Sequence, residues 1–202
     1  TGVDTGATGE QAVSFGSLTI ASGGTYSATS GTTTLTNETA GAGGDSGTDY
    51  AWHNSGTYTH NNGKVLIDFD TVTVSGSTFV KENTWNDFEI KMNTSGDSCN
   101  FADVSGNTVT FLGDVTITQG KFNDDANGDA YVIHGNTYIA NSSSAFGASD
   151  TWHTGAITHH GLVTNSAGTY FCTSGTLTMN GGVRNLGTFT NSNAGSTLTI
   201  GG

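Results

Sequence analysis

The sequence predicts an all-β chain folded as a single-stranded parallel β-helix (β-solenoid), with coils of about 21–23 residues. Three observations support this prediction. Strand-like pairs of apolar residues, two positions apart, repeat at a nearly constant step. The chain contains no Pro, which fits strands that must donate backbone N–H groups between coils. No window shows sustained helical periodicity with capping residues.

The clearest repeats lie in Val65–Ile139, where apolar pairs follow one another at the spacing of one coil. The aligned sets are Val65, Ile67 and Phe69; Phe88, Ile90 and Met92; Val109 and Phe111; Tyr131 and Ile133; and, in a second lane, Val115 and Ile117 with Thr137 and Ile139. Alternate residues of a strand point to opposite faces, so each pair points into the coil. We expect stacked coils ~4.8 Å apart with internal ladders of like residues.

The spacing also predicts the organisation of the chain. Residues 1–12 are rich in Gly, Thr and Asp and are expected to form an arm or linker. Residues 13–202 form the predicted β-helix, of about nine coils or fewer if loops are long. The range 38–49 lacks large apolar residues and predicts a protruding loop. Because the chain starts at Thr1, we expect a processed product or a piece of a longer protein, and the last residues, which resemble an unfinished coil, favour the second.

The charge limits the partners. The formal net charge is −12, with only 5 Lys and Arg, which argues against nucleic acid and against an anionic membrane surface as a partner. No segment approaches the roughly 20 apolar residues of a transmembrane helix. Cys99 and Cys172 are separated by a little over three coils, on the order of 15 Å, which is too far for a disulfide.

Alternating oxygen ligands suggest one metal site. Asp125, Asn127 and Asp129 alternate around Gly128, which partly matches a calcium-binding loop. His134 stands where such a loop would place its bidentate Glu. The same residue types also form ordinary turns between coils, so calcium is a candidate cofactor and a solvated turn is the alternative.

Histidines allow a second metal hypothesis. His159 and His160 could combine with His153 in a zinc cluster. Adjacent strand residues point to opposite faces, which argues against a shared ion for His159 and His160. We therefore expect these histidines on an outer face or in turns.

Carbohydrate binding is a third hypothesis. Trp52, Tyr58 and Trp152 are candidate exposed aromatic residues whose flat rings suit sugar faces, and packing at coil corners is the alternative. For catalysis, Asp68 and Asp70 share one face at a spacing that overlaps that of glycosidase carboxylate pairs. Lys91 is expected to stack beside Asp68, which favours an exposed ion pair instead. We predict no catalytic residues.

Thr-x-Thr pairs raise a different function. Thr176 and Thr178 recur one coil later as Thr197 and Thr199. A flat array of outward Thr on a solenoid can bind ice if it persists over many coils. Thr108 and Thr110, in another lane of the predicted coil, are followed one coil on by Ala130 and Val132, which interrupts the pattern. Thr is also simply a favourable strand residue.

Two stretches resemble repeat units of structural or fibre proteins of marine bacteriophages. They are Phe15–Thr33 and Gly56–Val65, and similar repeats occur in bacterial surface adhesins. The resemblance implies a non-enzymatic β-helix on the virion surface, or otherwise extracellular, that serves host attachment. It also implies either a homo-oligomer, with a trimer favoured, or contacts with other virion proteins, and the candidate receptor is a cell-surface glycan. A bacterial adhesin module and a polysaccharide-degrading β-helix enzyme are the alternatives.

Overall fold

The computed structural model describes residues 11–40, 49–69, 77–101, 108–124, 128–147, 153–191 and 196–201. They form β-strands, turns and bends, as the sequence predicts. No helix is found in these ranges, and hence none long and apolar enough to cross a membrane.

The strands are short and follow one another around the coil. The first twelve are β1 (Val13–Phe15), β2 (Leu18–Ile20), β3 (Thr25–Ser27), β4 (Thr32–Leu35), β5 (Thr39–Ala40), β6 (Asp49–Asn54), β7 (Thr57–Thr59), β8 (Lys64–Asp68), β9 (Ser77–Lys81), β10 (Thr84–Trp85), β11 (Asp87–Lys91) and β12 (Ser98–Phe101). The others are β13 (Thr108–Phe111), β14 (Val115–Asp124), β15 (Ala130–Ile133), β16 (Thr137–Ile139), β17 (Ser144–Phe146), β18 (Ile157–His159), β19 (Val163–Asn165), β20 (Thr169–Phe171), β21 (Thr176–Met179), β22 (Val183–Asn185), β23 (Thr188–Thr190) and β24 (Thr197–Ile200).

The strands form a parallel β-solenoid of about seven turns with three faces. The first face contains β1, β4, β8, β11, the start of β14, β16, β19 and β22. The second contains β2, β6, β9, β12, the end of β14, β17, β20 and β23. The third contains the pair β3 and β7, then the six-stranded sheet β10, β13, β15, β18, β21 and β24. These pairs are all parallel, so each face is a ladder of successive coils.

The pairing confirms most of the predicted register and corrects one step. Val65 pairs with Phe88, as predicted. Phe88 then pairs with Val115, so the prediction that Val109 follows Phe88 is wrong. Val109 lies on the third face, where it pairs with Tyr131 as predicted. Each coil has strands on three faces, whereas the predicted repeat had two lanes. The strand of the third face therefore lies between Phe88 and its partner Val115 and lengthens that step.

The coils are fewer than the nine expected because their lengths vary. Along the first face, Val13 pairs with Thr33, and Thr33 pairs with Val65 after a much longer coil. The longer coil includes β5, which leaves the parallel path and pairs antiparallel with the start of β6. This pair joins the two ends of the predicted loop 38–49 and extends to Tyr50, and residues 41–48 of that loop lie outside the described residues.

Stacked aromatic rings fill the core behind the second face. The rings of Phe101, Phe122, Phe146, Tyr170 and Phe189 succeed one another with centroids 4.5, 4.5, 4.9 and 5.2 Å apart. These distances are close to the ~4.8 Å between rungs, so ring stacking and backbone pairing are satisfied together. The first four rings are fully buried. Cys99 and Cys172 are buried free thiols, in agreement with the prediction.

Polar caps and glycines form the corner between the third and first faces. The Asp87 carboxylate accepts the N–H of Asp114, whose carboxylate accepts the N–H of Asn136, both at 2.7 Å. The Asn136 side chain in turn accepts the N–H of Leu162 at 3.0 Å. Beside this ladder, a Cβ on Gly161 would lie 2.2 Å from a backbone oxygen of the preceding coil, so only Gly fits there.

Candidate functional site

The outer side of the third face has a regular pattern of residues. Five coils, from β13 to β24, present two outward lanes in register. One lane contains Thr108, Ala130, Ala156, Thr176 and Thr197, and the other contains Thr110, Val132, Thr158, Thr178 and Thr199. We call these ten residues the threonine array. Each is exposed or half-buried, seven are Thr, and none is charged.

Four of the five rungs of the array rest on a buried layer. The inward neighbours Val109, Tyr131, Ile157 and Leu177 are at most 1 % exposed, whereas Leu198, under the last rung, is 37 % exposed. The next inward lane contains His159, which is fully buried. Side chains that alternate with this layer point outward by strand geometry, so the array is held at fixed spacing.

His159 belongs to a buried hydrogen-bond chain. Its Nδ1 lies 2.8 Å from the Thr137 hydroxyl, and its Nε2 lies 2.8 Å from the Tyr170 hydroxyl. Burial lowers the pKa of His159 to about 3, so the imidazole is neutral at physiological pH. The hydroxyls satisfy both ring nitrogens, which makes this polar group compatible with the core.

The proposed histidine cluster is not assembled. His159 and His153 are buried, whereas His160 is exposed at the corner beside the array. The expectation of an outer face or a turn is therefore wrong for His159, which is a buried strand residue, while the opposite orientation of His159 and His160 is confirmed. The His160 ring stacks on that of His134, with centroids 4.9 Å apart. The described ranges contain no group of three or more His, Cys, Asp or Glu arranged to hold a metal.

The calcium candidates are only partly described. Asp125 and Asn127 lie outside the described residues. Asp129 immediately precedes β15, and its side chain is fully buried. The calcium site therefore stays a prediction.

Of the three candidate sugar-binding aromatic residues, Trp52 does not lie on the surface. Trp52 is fully buried in the core, so its expected exposure is wrong. The ring of Tyr58 is half-buried, stacked on Tyr26 with centroids 6.2 Å apart, and lies against Trp52. Burial, helped by the Glu82 carboxylate and Tyr26, raises the pKa of Tyr58. Trp152 lies outside the described residues.

A polar groove lies next to Tyr58, where the third face is divided between β7 and β10. It measures about 330 Å³ and is lined by Asn54, Ser55, Gly56, Lys81, Glu82 and Asn83. The Asn54 side-chain amide donates to the Glu82 carboxylate at 2.5 Å, and the Asn83 N–H donates to the same carboxylate at 2.8 Å. These hydrogen bonds fix the Asn54 amide and the Glu82 carboxylate, and together with the Lys81 ammonium such groups suit a ligand rich in hydroxyl groups.

The predicted carboxylate pair is also only partly described. Asp68 pairs with Lys91, as predicted, and their side chains are 3.4 Å apart. Asp70 lies outside the described residues. The Asp68–Lys91 pair is partly exposed, which fits a surface ion pair.

Comparisons with known proteins give no relative: no family model, no curated protein and no solved structure matches this chain.

Sequence reasoning raised the Thr-x-Thr pairs but assigned them to separate lanes, and it missed the groove. A constant period puts Thr108 and Thr110 in a different lane from Thr176 and Thr178, but the pairing places them in the same two lanes. Thr110 pairs with Val132, Val132 with Thr158 and Thr158 with Thr178, and each of these steps has a different length. A search for Thr-x-Thr around a buried apolar residue, with a variable step, would have found the rungs of β13, β21 and β24 but not those of β15 and β18.

Proposed function

We propose that this chain is a non-enzymatic structural module of a virion surface, a fibre- or spike-type β-helix that serves host attachment. The observation that carries the proposal is the single core that runs through all the described coils. Backbone pairing and the aromatic ladder both act along the axis, which makes a rigid rod. A rod holds a binding surface at a distance from the particle. The resemblance of Phe15–Thr33 and Gly56–Val65 to phage fibre repeats supports the same function.

We expect the proposed module to bind its receptor, a cell-surface glycan, in the polar groove. The groove offers Lys81, Glu82 and Asn83 on a fixed corner, and the partly exposed Tyr58 ring adjoins it. Polar side chains on rigid elements bind hydroxyl groups with little loss of side-chain entropy. The net charge of −12 favours a neutral glycan over an acidic one.

Binding to immobilised bacterial surface polysaccharides tests this function. We expect Lys81→Ala and Asn83→Ala each to weaken binding about 2–10-fold, the effect of losing one hydrogen bond. The matched control is Lys121→Ala, two rungs further along the second face. Absence of binding to every polysaccharide, or equal effects of Lys81→Ala and Lys121→Ala, would contradict the groove as the receptor site.

The oligomer is tested by light scattering of the purified chain with and without calcium. A trimer is the expected state of a fibre module. A monomer in both conditions would favour a module that other virion proteins hold in place, and a calcium-dependent mass would support the site at Asp125, Asn127 and Asp129.

The alternatives make different predictions. For an adhesin module, antibodies against the chain label bacterial cells and not phage particles. For a polysaccharide-degrading enzyme, the bound polysaccharide is shortened, and Asp68→Ala or Asp70→Ala abolishes the shortening.

A further inference from the structure

The threonine array is an extended outward surface without a charged or aromatic side chain. Neighbouring rungs lie ~4.8 Å apart, and outward residues of one strand lie ~6.7 Å apart. The array therefore repeats in two dimensions, over five coils and two lanes. Its seven Thr side chains each present one methyl and one hydroxyl group, and none of its ten positions is Ser.

The interruptions of the array preserve its shape. Val132 has the same outline as Thr, with a methyl group in place of the hydroxyl. Ala130 and Ala156 are smaller and leave the surface without a protrusion. β-branched side chains have restricted rotamers, so the methyl and hydroxyl groups are held in place before any ligand arrives. The last two rungs of the array, in β21 and β24, have Thr in both lanes.

This surface is unsuited to most ligands. It carries no charge, so it offers nothing to an ionic partner. It has no aromatic ring on which a sugar could stack. Protein interfaces are centred on Trp, Tyr, Met or Arg, and none of these is in the array. A flat, uncharged lattice of methyl and hydroxyl groups matches a ligand that is itself a regular lattice of hydrogen-bonding groups.

We propose that the threonine array binds the surface of ice. Its hydroxyl groups hydrogen-bond to water molecules of the crystal plane, and its methyl groups fill the space between them. The repeat along the axis keeps successive rungs in step with the lattice, so weak contacts add over five coils. This inference does not rest on the attachment function.

Thermal hysteresis and partition into growing ice test the proposal on the purified full chain. The decisive variants are Thr158→Lys and Thr178→Lys, neighbours in one lane near the middle of the array. A long charged side chain there lifts the ice plane from the surface. The control is Thr116→Lys, which changes an outward Thr on the first face. Circular dichroism and the melting temperature establish that each variant is folded.

We expect the unmodified chain and Thr116→Lys to show equal hysteresis and to enter the ice fraction. Thr158→Lys and Thr178→Lys should lose both properties while remaining folded. An unmodified chain without hysteresis or ice partition would overturn the proposal, as would hysteresis that survives both array variants. Binding to insoluble cellulose or chitin in place of ice, lost in the array variants, would also overturn it and would leave the groove experiment unaffected.

Discussion

The first and third faces have the same parallel backbone pairing but opposite outward chemistry. Between β8 and β11, the first face carries two ion pairs, Lys64–Glu89 at 2.7 Å and Lys91–Asp68 at 3.4 Å. The third face carries the threonine array, which has no charge. Both faces bury apolar residues at alternate positions. The inward lanes therefore determine the fold, whereas the outward lanes are free to determine binding.

The largest expected effect is the loss of stability when a buried Phe is truncated. It tests whether the inward residues of the first and third faces contribute equally to the core. Phe88 points inward from the first face and Phe111 from the third, and both are at most 1 % exposed. Phe88→Ala and Phe111→Ala should each lower the free energy of unfolding by about 3–5 kcal/mol, because each leaves a cavity. Urea unfolding measures both. A loss below about 1 kcal/mol for one variant alone would mean that its face does not contribute equally to the core.

Acid should destabilise the protein through His159, which lies in a buried lane of the third face. His159 has a folded pKa of about 3 and an ordinary unfolded pKa of 6.5. Below pH 6.5 the unfolded chain binds a proton that the folded chain does not, so stability is complete above pH 6.5 and falls as the pH drops towards 3. Between pH 6.5 and 5 the loss is about 2 kcal/mol.

The readout is the difference in unfolding free energy between these two pH values. His159→Leu should reduce that difference, although it also lowers stability at neutral pH. The comparison variant is His160→Leu, which removes an exposed imidazole at the adjacent position. Equal pH dependence in the unmodified chain and in His159→Leu would show that His159 is not the responsible group.

The corner between the two faces should resist any added side chain. Gly161→Ala would place a Cβ 2.2 Å from a backbone oxygen of the neighbouring coil. We expect a loss of about 1–3 kcal/mol through overpacking. In Gly16→Ala the nearest contact is 3.8 Å, so that variant should be close to neutral. Thermal unfolding compares the two, and similar melting temperatures would contradict the tight corner.

The smallest effect concerns the charges of the first face. Removing the Asp68–Lys91 pair with Lys91→Met should change the free energy of unfolding by about 0–1 kcal/mol, because the pair is partly exposed. Added salt should reduce the effect further. A double-mutant cycle with Asp68→Asn measures the coupling between the two charges. A coupling above about 2 kcal/mol, beyond the range of exposed ion pairs, would mean that this face is stabilised by charge.

The sequence predicted the fold class because inward residues must alternate and repeat. The steps from Val65 to Phe88 and from Val109 to Tyr131 follow directly from that rule. The sequence does not distinguish strands of the first face from strands of the third, because coil length varies and apolar pairs look alike on every face. The displacement of Val109 from the first face is the result.

The candidate sites were less predictable for a related reason. The sequence left exposure and packing at a coil corner open for Trp52, and its strand places it in the core against the rings of Tyr26, Tyr58 and Trp85. The direction of a single aromatic residue depends on strand register, which short polar repeats do not define. The groove depends on the division between β7 and β10, which no local motif encodes.

The assignment of strands to three faces is tested most directly by engineered cysteine pairs. Glu89 lies beside Thr116 on the first face, whereas a uniform step between coils places it beside Thr110. Paired residues have Cα atoms ~4.8 Å apart, within disulfide range. Mild oxidation of the Glu89→Cys, Thr116→Cys variant should give an intramolecular disulfide, detected by mass spectrometry. The Glu89→Cys, Thr110→Cys variant should stay reduced. A disulfide in the second variant and none in the first would contradict the three-faced coil and the threonine array with it.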